Sequence, residues 1–208
     1  MTNKKNRKVI ALFDFDGTIT TSDSLGAFLL YNFGILRCGL VVIIYLPVHL
    51  LYKLNLLSST AAKNFLLPLF LRNIPYAEFT KMGDTFCKNK LPGMIKAKAI
   101  ERIQWHQQKN HEVIIVSASV YEWIRPWATS FGITKIITSK LEIVDGRLTG
   151  KLAGKNCNHE EKVVRIVKEI PDIEEYEVYA YGNSKSDRFM LSMADKTFYK
   201  KFEENDER

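Results

Sequence analysis

Val9-Ile10-Ala11-Leu12-Phe13-Asp14-Phe15-Asp16-Gly17-Thr18 is the stretch that decides the fold of this chain. Val9 to Phe15 is a short apolar run of strand type, and it gives way to a polar turn at Asp16-Gly17-Thr18. Two carboxylates at i and i+2 near a strand end can share one face, where one serves as nucleophile and the other as acid or base. Gly17 lets the backbone turn sharply so that the loop can approach a ligand. The competing reading is an ordinary loop that binds water or calcium.

Working outward, the C-terminal half alternates regularly. Helices are expected over Ile95–Gln108, Tyr121–Phe131, Glu160–Glu169 and Ser186–Ala194. Strands are expected over Glu112–Val116, Lys135–Val144, Arg147–Leu152, Glu177–Tyr181 and Thr197–Tyr199, with a hairpin turn at Asp145-Gly146. Alternation of this kind predicts an α/β fold with a doubly wound parallel sheet, whose ligands bind beyond the carboxyl ends of the strands. Three polar clusters fall at such ends: Asp14 to Thr18, Ser117-Ala118-Ser119, and Gly182-Asn183-Ser184-Lys185-Ser186-Asp187.

With 208 residues, 46% hydrophobic and 25% charged, the chain can bury a full core. Three separated cysteines suggest neither a disulfide framework nor a zinc cluster, and a reducing, cytoplasmic setting is expected. Lys4, Lys5, Arg7 and Lys8 resemble the start of a signal peptide, but Asp14 and Asp16 cut short the apolar run that follows. Of the net charge of +7, the first eight residues carry four positive charges, and residues 24–77, which contain no Asp or Glu, carry four more. The remainder is close to neutral. Basic residues interleaved with exposed aromatics are lacking, which argues against a nucleic-acid partner.

The motifs, in their order, resemble those of the haloacid dehalogenase superfamily. Asp14-Phe15-Asp16-Gly17-Thr18-Ile19-Thr20 is similar to its first motif, Val116-Ser117-Ala118-Ser119 to its second, Lys162 to its third, and Tyr181-Gly182-Asn183-Ser184 through Asp187 to its fourth. The resemblance implies a Rossmann-like core at 1–21 and 88–208, with an all-helical cap at 22–87 inserted between motifs one and two. That placement resembles the phosphoserine-phosphatase-like branch, subfamily IB. It further implies a phosphatase in which Asp14 forms an aspartyl-phosphate and Asp16 serves as acid and base. Thr18, Ser117, Ala118 and Lys162 would bind the phosphate. Mg2+ would be held by Asp14, Asp16 and Asn183, with Asp187 supporting from behind. Lys155 is the rival of Lys162. Asn183 departs from the branch, where an aspartate commonly opens the fourth motif, and a neutral oxygen holds a hard cation less tightly.

The texture of Ser24 to Tyr76 is unlike the rest: apolar, acid-free and broken by prolines. Cys38 to Tyr52 is an uncharged run of 15 residues, short of the roughly 20 that a spanning helix needs. Either its apolar faces pack internally, or some face outward while Arg37, Lys53, Lys63 and Arg72 meet anionic headgroups in peripheral contact with a membrane. The cap resembles that of phosphatidylglycerophosphatases, which implies a lipid phosphate as partner. A soluble phosphorylated small molecule such as phosphoserine is the alternative, with Asp23 as the one acid available, and a non-catalytic phosphate-binding protein is a third.

Overall fold

A computed structural model of the chain describes residues 7–203. Lys4 and Lys5 of the basic N-terminal run lie outside the described residues. The strands are β1 (Val9–Phe13), β2 (Glu112–Val120), β3 (Lys135–Ser139), β4 (Leu141–Val144), β5 (Arg147–Leu152), β6 (Glu177–Gly182) and β7 (Lys196–Tyr199). Five of them form a parallel sheet in the order β3-β2-β1-β6-β7, so the chain winds one way from β1 and then returns to build the other half. β1 is central and fully covered, which is why it reads as a continuous apolar run.

The period of two along each strand divides the core. Ala11, Phe13, Ile115, Tyr179 and Tyr181 face α5 (Ala97–Gln108) and α6 (Tyr121–Ser130), while Ile10, Leu12, Ile114, Val116 and Ala180 face α7 (Glu160–Glu169) and α8 (Arg188–Ser192). Phe13 stacks on Tyr181 with centroids 4.2 Å apart, and Tyr181 on Phe198 at 4.6 Å, tying three strands together.

Two expected elements differ. Lys135 to Val144 is not one strand: β3 pairs with β2 as far as Ser139 opposite Val120, where β2 gives way to α6 and offers no further partner. The chain then leaves the sheet and pairs β4 antiparallel with β5 across Asp145-Gly146, both of which have positive φ as that tight turn requires. Ser186 to Ala194 is likewise not one helix: a single tighter turn at Lys185–Asp187 precedes α8, because Ser184 and Asp187 exchange hydrogen bonds in a capping box.

Between β1 and α5 the chain forms a helical insertion, α1 (Ser24–Lys53), α2 (Ser59–Leu66), α3 (Pro68–Leu71) and α4 (Tyr76–Asn89). Its two connections run side by side, with Thr21 N donating to Met94 O and Lys96 N to Ile19 O. Phe28 stacks on Trp123 of α6 at 4.5 Å and meets Phe79 and Phe86 edge-on, which docks the insertion on the core. The β4–β5 hairpin completes the insertion from later in the chain: Gly150 lies so close to Pro68 that a Cβ would stand 2.5 Å from its Cα. Asn73 N donates to Leu148 O, Leu148 N to Ile74 O, and Tyr76 N to Gly146 O.

α1 breaks at Gly34, whose φ of 75° and ψ of 167° only glycine adopts without strain. Beyond the break the helix carries Leu36, Leu40, Ile43, Ile44, Leu46 and Leu50, all more than half exposed. By length and composition α1 could cross a membrane, and only 17% of its most apolar window is buried.

Candidate active site

Asp14 leaves the end of β1 at the sheet's centre, its N–H bonded to Tyr181 O of β6. Its carboxylate is buried and held on both sides. Lys162 of α7 donates to Oδ1 at 2.6 Å and Thr18 Oγ1 to Oδ2 at 2.9 Å. The Lys162 ammonium also reaches Asp187 Oδ1 at 2.7 Å and Val116 O at 3.0 Å, so all three of its protons are used. Asp187 turns its other oxygen to Asn183 N, Ser184 N and Ser184 Oγ, which shapes the loop after β6. One ammonium between two buried carboxylates leaves an excess of negative charge. Burial first, with Asp187 and Asp16 adding to it, pushes the Asp14 carboxyl up to about 7 against the pull of Lys162. The same pair of carboxylates holds Lys162 above its ordinary range despite its burial.

Asp16, two residues on, is fixed from another direction. Ser24 N, in the first turn of α1, donates to Oδ1 at 2.7 Å, and the Ser119 hydroxyl donates to Oδ2. Ser24 Oγ lies 3.0 Å from Ser119 Oγ and accepts from Trp123 Nε1. The pairing of β2 with β3 slips between Ser117 and Val120, an irregularity that brings Ser117, Ala118 and Ser119 around the site. Ser117 is buried, and its Oγ accepts from Ser119 N at 2.9 Å.

Asn183 packs on Gly17 so closely that a Cβ there would stand 2.2 Å from Nδ2, and its Oδ1 lies 3.3 Å from Thr18 Oγ1. No three His, Cys, Asp or Glu side chains gather as a metal cluster among the described residues. A hard cation is nonetheless served by the oxygens present: the Asp14 carboxylate, the Asn183 amide and backbone carbonyls, around a cluster with surplus negative charge.

Asp14, Asp16 and Ala118 line a cavity of about 400 Å³, with Lys162 and Asp187 behind Asp14. Thr18 and Asn183 line a separate cavity of about 270 Å³ together with Gly17 and Lys96. Lys155 is exposed in a loop, its carbonyl accepting from Arg165, and does not reach the site.

Several residues of the cavity escaped the sequence reading. Lys63 of α2, grouped there with the headgroup-facing cations, instead points inward: its Nζ donates to Ala118 O at 2.8 Å and Asn156 Oδ1 at 2.9 Å. Burial lowers its pKa, with Asp16 and Asp23 opposing. Arg37 is also engaged, donating to Leu69 O and stacking over Phe33 and Phe70. Of the four insertion cations, these two are thus tied to the protein. Asn156, Tyr45, His49 and Tyr52 line the same cavity. Only the small-residue run Ser58-Ser59-Thr60-Ala61-Ala62 before Lys63 hinted at a close helix contact.

A parallel sheet with two fixed carboxylates after its central strand, a buried lysine and an oxygen-rich loop defines a hydrolase of the Rossmann-like type. The sequence profile of the haloacid dehalogenase-like hydrolases matches residues 11–192, and the chain belongs to that family. It is 30% identical over 203 residues to Protein CicA of Caulobacter vibrioides, covering 93% of this chain and 86% of that one. Among solved structures it is similar to a protein of unknown function from Bordetella pertussis Tohama I, with a TM-score of 0.79, 22% identity, and coverage of 93% and 90%. It also resembles a phosphoserine phosphatase held as a phospho-aspartyl intermediate analogue, with a TM-score of 0.66, 18% identity, and coverage of 93% and 87%.

Proposed function

We propose that this chain is a phosphoric monoester hydrolase of subfamily IB, with residues 22–87 as its cap, working through an aspartyl-phosphate on Asp14. The observation that carries this reading is the pair of carboxylates after β1, each fixed by separate donors: Asp14 by Lys162 and Thr18, Asp16 by Ser24 and Ser119. Asp14 attacks phosphorus, the bond to the alcohol oxygen breaks, and Asp16 delivers the proton that the alcohol takes away. Asp16 then accepts a proton from water, whose oxygen attacks the phosphorus and releases phosphate and the Asp14 carboxylate. Ser117 and the backbone at Ala118 hold the phosphoryl oxygens, while Lys162 and Thr18, whose protons are engaged by Asp14 and its neighbours, supply positive charge beside the phosphate and aim the nucleophile. Asp14, the Asp16 carbonyl and Asn183 would hold Mg2+, which when bound would supply charge neutralisation between an anionic nucleophile and an anionic ester. The phospho-aspartyl form of the similar phosphoserine phosphatase supports this chemistry.

The substrate we infer is a lipid phosphate, met at a membrane surface, as in phosphatidylglycerophosphatase-type members. The apolar exterior of α1 supports it, and apolar insertion replaces the headgroup contacts expected of Arg37 and Lys63. Crossing the bilayer does not suit α1, because Tyr45, His49 and Tyr52 on its inner face line the reaction cavity. A second reading, a soluble amino-acid phosphate, draws on Asp23 and Lys63, an acid and a base at the same cavity. Asp23, however, already caps α1 through Gly26 N at 2.7 Å. Phosphate release from a panel of soluble esters and of lipid phosphates in detergent, with magnesium and with chelator, tests these readings. No release from any ester would sink the hydrolase, and release from soluble esters alone would sink the lipid substrate.

A further inference from the structure

The inner face of α1 carries three side chains that the reaction above leaves without a task. Tyr45, His49 and Tyr52 recur at i, i+4 and i+7 and so stand on one face of the helix. Their rings form a continuous row, with centroids 5.9 Å apart for Tyr45 and His49 and 6.3 Å apart for His49 and Tyr52. All three line the cavity that holds Asp14 and Asp16. Tyr45 and Tyr52 are half-buried and His49 is exposed, so their polar ends open onto the cavity instead of being used up in packing. Polar groups converging on a cavity are what a ligand uses for orientation.

The opposite face of the same helix is aliphatic, with Leu36 83%, Leu40 66%, Ile43 71% and Leu50 58% exposed. One helix therefore separates a polar-lined reaction cavity from an apolar exterior, and no acidic residue occurs between Ser24 and Ala77. A water-soluble ester would use only the inner face. An amphiphile uses both.

We propose that the Tyr45–His49–Tyr52 row reads the hydroxyl-bearing alcohol of an amphiphilic phosphate monoester, whose hydrocarbon tail leaves the cavity along α1 into the lipid surface on which the outer face rests. This rests on the hydrolase reading and deepens it by naming the residues that choose the leaving group. Phenols and an imidazole both donate and accept hydrogen bonds, which suits the hydroxyls of a polyol better than the ammonium and carboxylate of an amino acid.

The test compares wild type with Y45F/Y52F and with H49A on two substrates: p-nitrophenyl phosphate, and a diacylglycerol-linked glycerol phosphate in mixed micelles. The two-hydroxyl deletion is expected to lower kcat/KM on the lipid ester about tenfold further than on the aryl ester, mostly through KM. Equal losses on both substrates, or none, would overturn the assignment. Inactivity of the wild type on both substrates would remove the hydrolase reading beneath it. Flotation with phosphatidylglycerol vesicles covers the outer face. Wild type is expected to float and L40S/I43S/L50S to stay behind. A wild-type dimer in vesicle-free buffer, dissolved by the same substitutions, would give that face to a second copy of the chain and overturn the lipid contact.

Discussion

Lys162 and Asp14 meet at 2.6 Å inside the protein, and the same ammonium lies 2.7 Å from Asp187. Removing either member has a different consequence. In D14N the ammonium keeps Asp187, so the fold should survive while phosphate release falls by at least roughly 10³-fold, since the proposed nucleophile is gone. K162M strands two buried carboxylates and should cost about 3–5 kcal/mol of stability, read as a lowered Tm. Wild-type turnover in D14N would end the proposed chemistry, and a wild-type Tm in K162M would deny the pair its structural weight.

The surplus of buried carboxylate gives the metal-free protein a pH signature. Asp14 titrates at about 7 in the fold against an ordinary 3.8, so the folded state holds its proton more tightly than the unfolded chain does. Its contribution to stability should therefore fall as pH rises from about 4 to about 7 and level off above, by an amount on the order of a few kcal/mol. Urea unfolding in chelator at pH 5 and pH 8 measures this. D14N should flatten the difference, and an equal slope in D14N would place the proton elsewhere.

Asp16 is aimed by Ser119 and by the backbone of Ser24. D16N should therefore slow alkyl phosphates far more than activated aryl phosphates, whose leaving group needs no proton. S119A keeps the carboxylate but loosens its aim, and should lower kcat on alkyl phosphates by about tenfold to a hundredfold, with KM little changed. Equal losses on both substrate types would argue against the acid role.

Asn183 stands against Gly17, and Asp187 behind it is already occupied by four donors across its two oxygens. Replacing the amide by a carboxylate in N183D should tighten magnesium, seen both in calorimetric titration and in the half-saturating concentration for turnover. An unchanged affinity would mean that Asn183 is not a ligand.

What could be read from the chain follows from how local its cause is. β1, α7 and the turn at Asp145-Gly146 are written in periods and turn residues close together, and the sheet and helix pattern followed from them. The end of β3 was hidden because it depends on where β2 stops. The gathering of Asp14, Asp16, Ser117, Lys162 and Asp187 was legible from motif order, since parallel strands bring their carboxyl ends together. Lys63 was not: whether a lone lysine in an apolar segment faces solvent or the cavity is settled by the packing of α2 against Asn156 and Asn158, far along the chain. The break at Gly34 and the two-sided character of α1 were hidden too, because an apolar run looks the same whichever side is covered.

The hairpin that leans on α2 and α3 has a consequence for how the molecule comes to exist. Its residues 141–152 leave the ribosome long after the helices they support, so those helices wait, incomplete, with Pro68 lacking Gly150 and Asn73 lacking Leu148. Residues 24–89 are thus not an autonomous unit that nascent-chain folding can finish first. During that interval the aliphatic face of α1, which stays exposed even in the finished fold, adds to the apolar surface that the unfinished helices present.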